Sequence, residues 1–180
     1  MLGIRTIALL GTNRDAVGLA LLSALAGLDV RVHHASPDAL DAGFRALRED
    51  VERAVADGRL DREARQRIFD GILFTPVLDE AVVGADLVFA AGDADAGPAR
   101  ARLAEAARSC RATALLATPL DPPEVSDAVP QPGRVVGLRL SAGADPFPHV
   151  ALRAGPGTTA HARERATLLV ERLDQAAGRR

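Results

Sequence analysis

The chain has no tryptophan, no tyrosine and no lysine, and among its 180 residues are one cysteine, one methionine and five phenylalanines. Each scarcity removes a class of explanation. With so few aromatic rings, the core has to be built from Ala, Leu and Val through many small contacts. A lone cysteine, Cys110, excludes an internal disulfide and a cysteine-ligated metal cluster, and it reads as a small, partly buried residue near a helix end. The absence of lysine beside abundant alanine reads as coding bias and carries no functional meaning. A formal net charge of -2 speaks against general affinity for nucleic acid. No apolar run reaches the ~18 residues of a membrane helix. The stretch Met1–Thr6 is too short for a signal peptide ahead of the first apolar run. A soluble, cytoplasmic protein is the expectation. Apolar residues make up 48% of the chain, enough for a core, and the length suits one domain.

The opening is the most informative segment. Residues 4–34, IRTIALLGTNRDAVGLALLSALAGLDVRVHH, read strand, tight glycine turn, helix, strand. This is the start of a dinucleotide-binding unit. Its G-x-G-x-x-G fingerprint begins at Gly11, but Asn13 and Ala16 hold the second and third glycine positions. The acid expected about 20 residues further on is replaced by His34. The scaffold points to a cofactor enzyme, while the residues at the site point to loss of cofactor binding.

Hydrophobic periodicity extends the pattern. Ile7–Leu10 is a continuous apolar run, as in a parallel strand buried on both faces. Ala16–Ala26 is helical and closes at Gly27; Val30–His33 is the second strand. Ser36 and Pro37 start a long amphipathic helix over Asp38–Ala56. That helix has Leu40, Phe44, Leu47, Val51 and Val55 on one face and Arg45, Arg48, Glu49, Asp50, Glu52 and Arg53 on the other. Asp61–Phe69 is a second helix capped by Asp61. Strands follow at Ile72–Thr75, Leu87–Ala91, Ala114–Ala117, Val135–Leu140 and Val150–Arg153. Helical segments fall at Leu78–Ala81, Gly97–Ser109 and Thr159–Ala176, the last with Leu168, Leu169, Val170 and Leu173 on its apolar side. A proline-rich stretch runs from Thr118 to Gly133, and Ala142–Pro148 is a loop. The alternation predicts a single α/β domain, Rossmann-like and doubly wound, with a mostly parallel sheet and a helical hairpin at about residues 38–70.

A hairpin placed straight after the second strand, AGFRALREDVERAVADGRLDREARQRIFDGILFTPVLDEAVVGADLVFAA, resembles the NAD-binding domain of the 3-hydroxyacyl-CoA dehydrogenases. The resemblance covers about residues 4–177. It includes the K-G-x-L turn (here Asp57-Gly58-Arg59-Leu60), the A-D-L-V strand (Ala85 to Val88) and the G-L-H strand (here Gly137-Leu138-Arg139). The departures fall where the family's chemistry sits. Arg139 stands in place of the general base, and Ala151 aligns with its partner carboxylate. Leu116-Ala117-Thr118-Pro119 replaces the substrate-touching N-T-S-S turn. Ala142-Gly143 aligns with the Asn-Pro after the base, and Ala90 with the acid that ends the A-D-L-V strand. Oxidising a 3-hydroxyl needs a base to take the alcohol proton, and arginine stays protonated. The resemblance also implies an all-helical domain beyond this length that closes the substrate cleft and forms a dimer. The expectation is that a separate chain or a second copy supplies that surface.

The candidate cofactor-binding residues are Gly11, Asn13, Arg14, His34 and Ser36. Gly11 to Arg14 sit where a helix N-terminus binds phosphate, although Asn13 puts a side chain where backbone would approach a pyrophosphate. At His34 and Ser36, loss of the acid removes the 2′-hydroxyl partner and also the repulsion against a 2′-phosphate, so NAD and NADP both stay open. The alternative is a tight turn and a pair of loop histidines without a ligand. The candidate catalytic residues are Arg139, His149 and Asp121. Arg139, at a strand end, would bind an anionic group or simply pair with an acid such as Asp145. Asp93 and Asp95 are rim or capping residues. Adjacent His33 and His34 point to opposite sides of a strand, and no metal site is expected.

Three functional readings follow. The first is a 3-hydroxyacyl-CoA dehydrogenase-like pseudoenzyme whose crevice binds a small molecule, an acyl thioester or a protein partner. The second is an NAD(P)-dependent oxidoreductase with its base relocated to His149. The third is a non-redox enzyme of specialised metabolism (a lyase, isomerase or cyclase), with Arg139 holding an anion and Asp121 or His149 moving protons.

Overall fold

The computed structural model describes residues 3–92, 96–141 and 147–179. Seven strands form one sheet: β1 (Thr6–Leu10), β2 (Asp29–His33), β3 (Ile72–Thr75), β4 (Leu87–Ala90), β5 (Leu115–Thr118), β6 (Val135–Ser141) and β7 (His149–Ala154). The helices are α1 (Arg14–Leu25), α2 (Pro37–Ala56), α3 (Arg62–Asp70), α4 (Leu78–Val82), α5 (Ala96–Ser109) and α6 (Ala160–Ala176). The order across the sheet is β3-β2-β1-β4-β5-β6-β7. Every pairing is parallel except β6 with β7. The Rossmann-like architecture predicted from the alternation is therefore present, and α2 and α3 lie between β2 and β3.

Both faces are covered at the central strands, which explains the continuous apolar runs of β1, β4 and β5, whereas β2 and the edge pair β6–β7 alternate with polar residues. In β1, Ile7 and Leu9 belong to the core shared with α1, α2, α3 and α6. Ala8 and Leu10 belong to the core shared with α4 and α5. The cores are built mainly from Ala, Leu and Val, as the scarcity of aromatics requires.

Local chemistry sets the helix starts. Ser36 caps α2 by accepting from the Ala39 amide, with Pro37 at the first helical position. Asp61 caps α3, and Thr159 caps α6, so that helix begins one residue after its predicted start. The Asn13 side chain accepts from the Ala16 amide at 3.1 Å, so α1 begins at Arg14, two residues before the expected start. Asn13→Ala is expected to cost about 1 kcal/mol, read as a lower urea midpoint with an unchanged m-value.

Some details differ from the sequence reading. Gly43, not Phe44, is buried on the inner face of α2. A side chain at Gly43 would sit 3.0 Å from Thr12 Cβ, so the helix approaches the β1–α1 turn too closely for one. Phe44 turns outward, 43% exposed, and packs against Phe69 and Phe74. On α6, Leu169 and Leu173 are buried while Leu168 is 45% exposed. The proline-rich stretch folds as three short 3-10 turns, at Pro122–Glu124, Ser126–Ala128 and Pro132–Arg134. Arg172 of α6 donates to the carbonyls of Ala26 (2.8 Å) and Gly27 (3.1 Å), satisfying the C-terminus of α1 from the far end of the chain. Cys110, directly after α5, is partly buried and unpaired.

Candidate functional site

β1 lies between β2 and β4, so the strand order reverses there. Ligands of open α/β sheets bind at such a switch point, beyond the strands' carboxyl ends. In this protein a cleft of about 290 Å³ lies there, lined by Gly11, Thr12, Asn13, His34, Gly92 and Arg102, among others. Gly11 has φ +128°, and a Cβ on it would lie 2.9 Å from Ala91 Cβ. Both backbones are pinned: the Gly11 amide donates to the His33 carbonyl at 2.9 Å, and the Ala91 amide to the Leu10 carbonyl at 3.0 Å. The turn thus needs glycine for conformation and for space.

Of the five candidate cofactor residues, Gly11, Asn13 and His34 line this cleft; Arg14 and Ser36 do not. The Asn13 side chain lies against its own helix rather than across the cleft. Arg14 is exposed. His34 Nδ1 accepts from the Ser36 amide at 3.0 Å, so both residues shape the β2–α2 turn. Sequence reasoning missed Arg102 of α5, whose guanidinium donates to the Ala91 carbonyl at the cleft wall. Nothing in the local pattern separates it from Arg100, which pairs outward with Asp127; only the packing of α5 beside β4 does. The cleft has the glycine turn and a cation, Arg102, in its lining. It thereby fits a phosphate-bearing group, and His34 stands where an acid would take a ribose hydroxyl.

His33 ends β2, half-buried, with Nδ1 3.2 Å from the Thr75 carbonyl. Burial is the main cause that holds its imidazole below the ordinary histidine value. The hydrogen bond to Thr75 and the charge of Glu105 oppose this, while His34 and Arg102 reinforce it. The native state therefore binds fewer protons at His33 than the unfolded chain. The stability tied to this group is complete above about pH 6.5 and is lost as pH falls below it toward the depressed native value. A urea series across that range is expected to show falling stability, and His33→Gln is expected to flatten that part of the profile.

A second group gathers on the β6–β7 ladder. Arg139 pairs with Ala151, Ser141 with His149, and Gly137 with Arg153. Directly opposed residues share a face, so Arg139, His149 and Arg153 project from one side. Leu138, Leu140, Val150 and Leu152 belong to the core on the other. Asp121, just after β5, lies between two guanidinium groups: 3.6 Å from Arg139 Nη2 and 3.6 Å from Arg153 Nη1. Two of the three predicted catalytic residues, Arg139 and Asp121, thus meet, with Arg153 as a cation the sequence reading did not single out, while His149 shares their side of the ladder two positions further along, opposite Ser141. The alternation over His149–Ala154 was its only signal. Asp145, the suggested partner for Arg139, lies outside the described residues, as do Asp93, Asp95, Ala142 and Gly143. The partner found for Arg139 is Asp121. The cluster has two cations and one anion, each about half exposed, so its ion pairs are weak and exchangeable.

The cross-strand pairing of Arg139 with Ala151 matters chemically. These are the positions that the resemblance assigns to the base and its carboxylate, and neither side chain can accept a proton at ordinary pH. With strands about 4.8 Å apart, Arg139 on β6 lies roughly 10 Å across the sheet from the β4 side of the cleft. Among the described residues no three His, Cys, Asp or Glu side chains are grouped to hold a metal ion, and no helix is long and apolar enough to cross a membrane.

The profile of the 3-hydroxyacyl-CoA dehydrogenase NAD binding domain matches residues 6–177. The 3-hydroxyadipyl-CoA dehydrogenase of Escherichia coli K12 is 26% identical over 144 residues, a match covering 78% of this chain and 30% of that protein. The crystal structure of FadB2 from M. tuberculosis superposes with a TM-score of 0.88 at 26% identity, covering 99% of this chain and 62% of that one. The 3-hydroxybutyryl-CoA dehydrogenase from Escherichia coli K12 shares the fold, with a TM-score of 0.86 at 24% identity over 98% of this chain and 37% of that one. The chain therefore spans less than two thirds of the length of these relatives.

Proposed function

Because the chain belongs to the 3-hydroxyacyl-CoA dehydrogenase family, matched along that family's NAD-binding domain, we propose that it keeps the family's crevice as a binding site and has lost dehydrogenation through the family's base. The ligand in this reading is an acyl thioester or another small molecule with an anionic group. The observation that carries it is the opposition of Arg139 and Ala151 on β6 and β7. A permanently protonated guanidinium facing a methyl group cannot remove an alcohol proton. It can hold a carboxylate or phosphate, and Arg153 beside Asp121 doubles the available forks.

A nicotinamide dinucleotide, when bound, would supply the hydride acceptor. Gly11, Asn13 and Arg102 would line its phosphates, and His34 would sit beside the ribose. Without the acid that grips a 2′-hydroxyl, discrimination against NADP is weak in this reading.

Calorimetric titration with an acyl-CoA tests the proposal. Binding is expected, and Arg139→Ala is expected to weaken it tenfold or more, about 1.4 kcal/mol. Binding that is absent, or indifferent to Arg139, would remove the reading. A second reading rests on His149, which shares the polar face with Arg139: a dehydrogenase with its base relocated. There His149→Ala would abolish a turnover that Arg139→Ala leaves in place.

A further inference from the structure

A second cavity lies at the opposite end of the sheet, where strands begin rather than end. Its volume is about 560 Å³, larger than that of the cleft, and its lining includes Arg5, Asp86, Arg111, Thr113, His161 and Arg165. Thr6 of this lining opens β1, Asp86 precedes β4 and Thr113 precedes β5. At about 3.3 Å per residue, the length of β1 separates this cavity from the cleft by roughly 16 Å.

Its charge is unbalanced. Arg165 is only 6% exposed. One of its terminal nitrogens, Nη1, donates to the Thr113 carbonyl at 2.5 Å, and Nη2 reaches the Asp86 carbonyl at a long 3.5 Å. Its Nε is buried with no hydrogen-bond partner among the described residues. These partners are backbone carbonyls, which satisfy donors without neutralising charge. The one carboxylate among the described lining residues is already occupied. Asp86 Oδ2 accepts from the Arg5 and Thr6 amides at 2.9 and 3.2 Å, and Oδ1 pairs with Arg111 at 3.1 Å. Among the described lining residues, Arg111, Arg165 and His161 therefore face one acid. A desolvated cation without a counter-charge is costly to hold, and guanidinium forks match the oxygens of a phosphate.

We propose that this cavity is an anion site, independent of the crevice, for the phosphate group of a small phosphorylated molecule. The void is too large for a single oxyanion alone, so the phosphate would occupy the Arg111–Arg165 end and leave room for the remainder of the molecule.

The test is calorimetric titration of the full chain with inorganic pyrophosphate. Saturable binding is expected. Arg111→Ala is expected to weaken it tenfold or more and His161→Ala severalfold, each with an unchanged far-UV circular dichroism spectrum. Arg48→Ala, which removes the same charge from the exposed face of α2, is expected to leave the affinity within twofold, and saturating NAD is expected not to displace the ligand. Absence of binding at millimolar pyrophosphate would overturn the proposal. So would equal weakening by Arg111→Ala and Arg48→Ala, or displacement by NAD.

Discussion

Replacing Phe89 with alanine is expected to destabilise the protein by about 3–5 kcal/mol. Phe89 is the largest of the fully buried side chains, with 0% exposure. It sits on β4, flanked in register by Leu9 of β1 and Ala117 of β5. Both neighbouring strands are hydrogen-bonded to β4, so the backbone cannot collapse into the void. The remaining core is largely Ala, Leu and Val, which are too short to fill it. The loss is a large share of the roughly 5–15 kcal/mol that a domain has in total. At about 2–4 °C per kcal/mol for this size, the melting temperature should fall by roughly 6–20 °C. Phe89→Leu should recover most of that. A loss below about 1 kcal/mol for the alanine variant would mean that the sheet centre is not packed as described. Function follows from the same strand, because β4 leads directly into Ala91 and Gly92 at the cleft wall.

Gly11→Ala is the second large effect, with an expected cost of about 2–6 kcal/mol. A backbone strain of roughly 1–3 kcal/mol arises from φ +128°. A further 1–3 kcal/mol or so comes from overpacking, since the new methyl would meet Ala91 Cβ at 2.9 Å. Gly157→Ala is the matched control: nothing lies within 4 Å of its added Cβ, and its φ is outside the left-handed range. It should change stability by less than about 0.5 kcal/mol. Urea midpoints of the two variants compare the sites directly, and equal midpoints would contradict the geometry of the turn. Gly11→Ala should also weaken any phosphate ligand of the cleft, because the turn has to move to accept it.

These two positions show what a sequence discloses and what it does not. Gly11 was legible because a glycine between an apolar strand run and an apolar helical stretch has few other uses. The central strands were legible because burial on both faces leaves hardly a polar residue to blur the run. Asn13 was harder. Its type reads as an obstacle to a pyrophosphate, but the same side chain caps α1, and only the direction of its carbonyl oxygen decides between the two. Phe44, expected on the apolar face of α2, turns outward, and Gly43 takes the buried place because helical periodicity says nothing about how near the neighbouring turn lies. The arginines were least legible. Arg134, Arg165 and Arg172 carry no signal in the sequence, yet each is tied to backbone carbonyls far away in sequence, as Arg172 is to Ala26. Such contacts exist only after the chain has folded. In the candidate site, Arg139 and Asp121 could be suspected from their places after strands. Their meeting follows from β5 lying beside β6, and Arg153 joins them only because β7 pairs antiparallel with β6.

The central claim is that a family fold has been kept while the positions of its base and carboxylate carry Arg139 and Ala151. The most direct test is hydride transfer from a panel of 3-hydroxyacyl-CoA substrates of different chain length to NAD and to NADP, followed by dinucleotide absorbance. The account predicts rates no faster than those of a protein-free control for every substrate with either dinucleotide. Turnover that rises in proportion to protein concentration and saturates with substrate would contradict it.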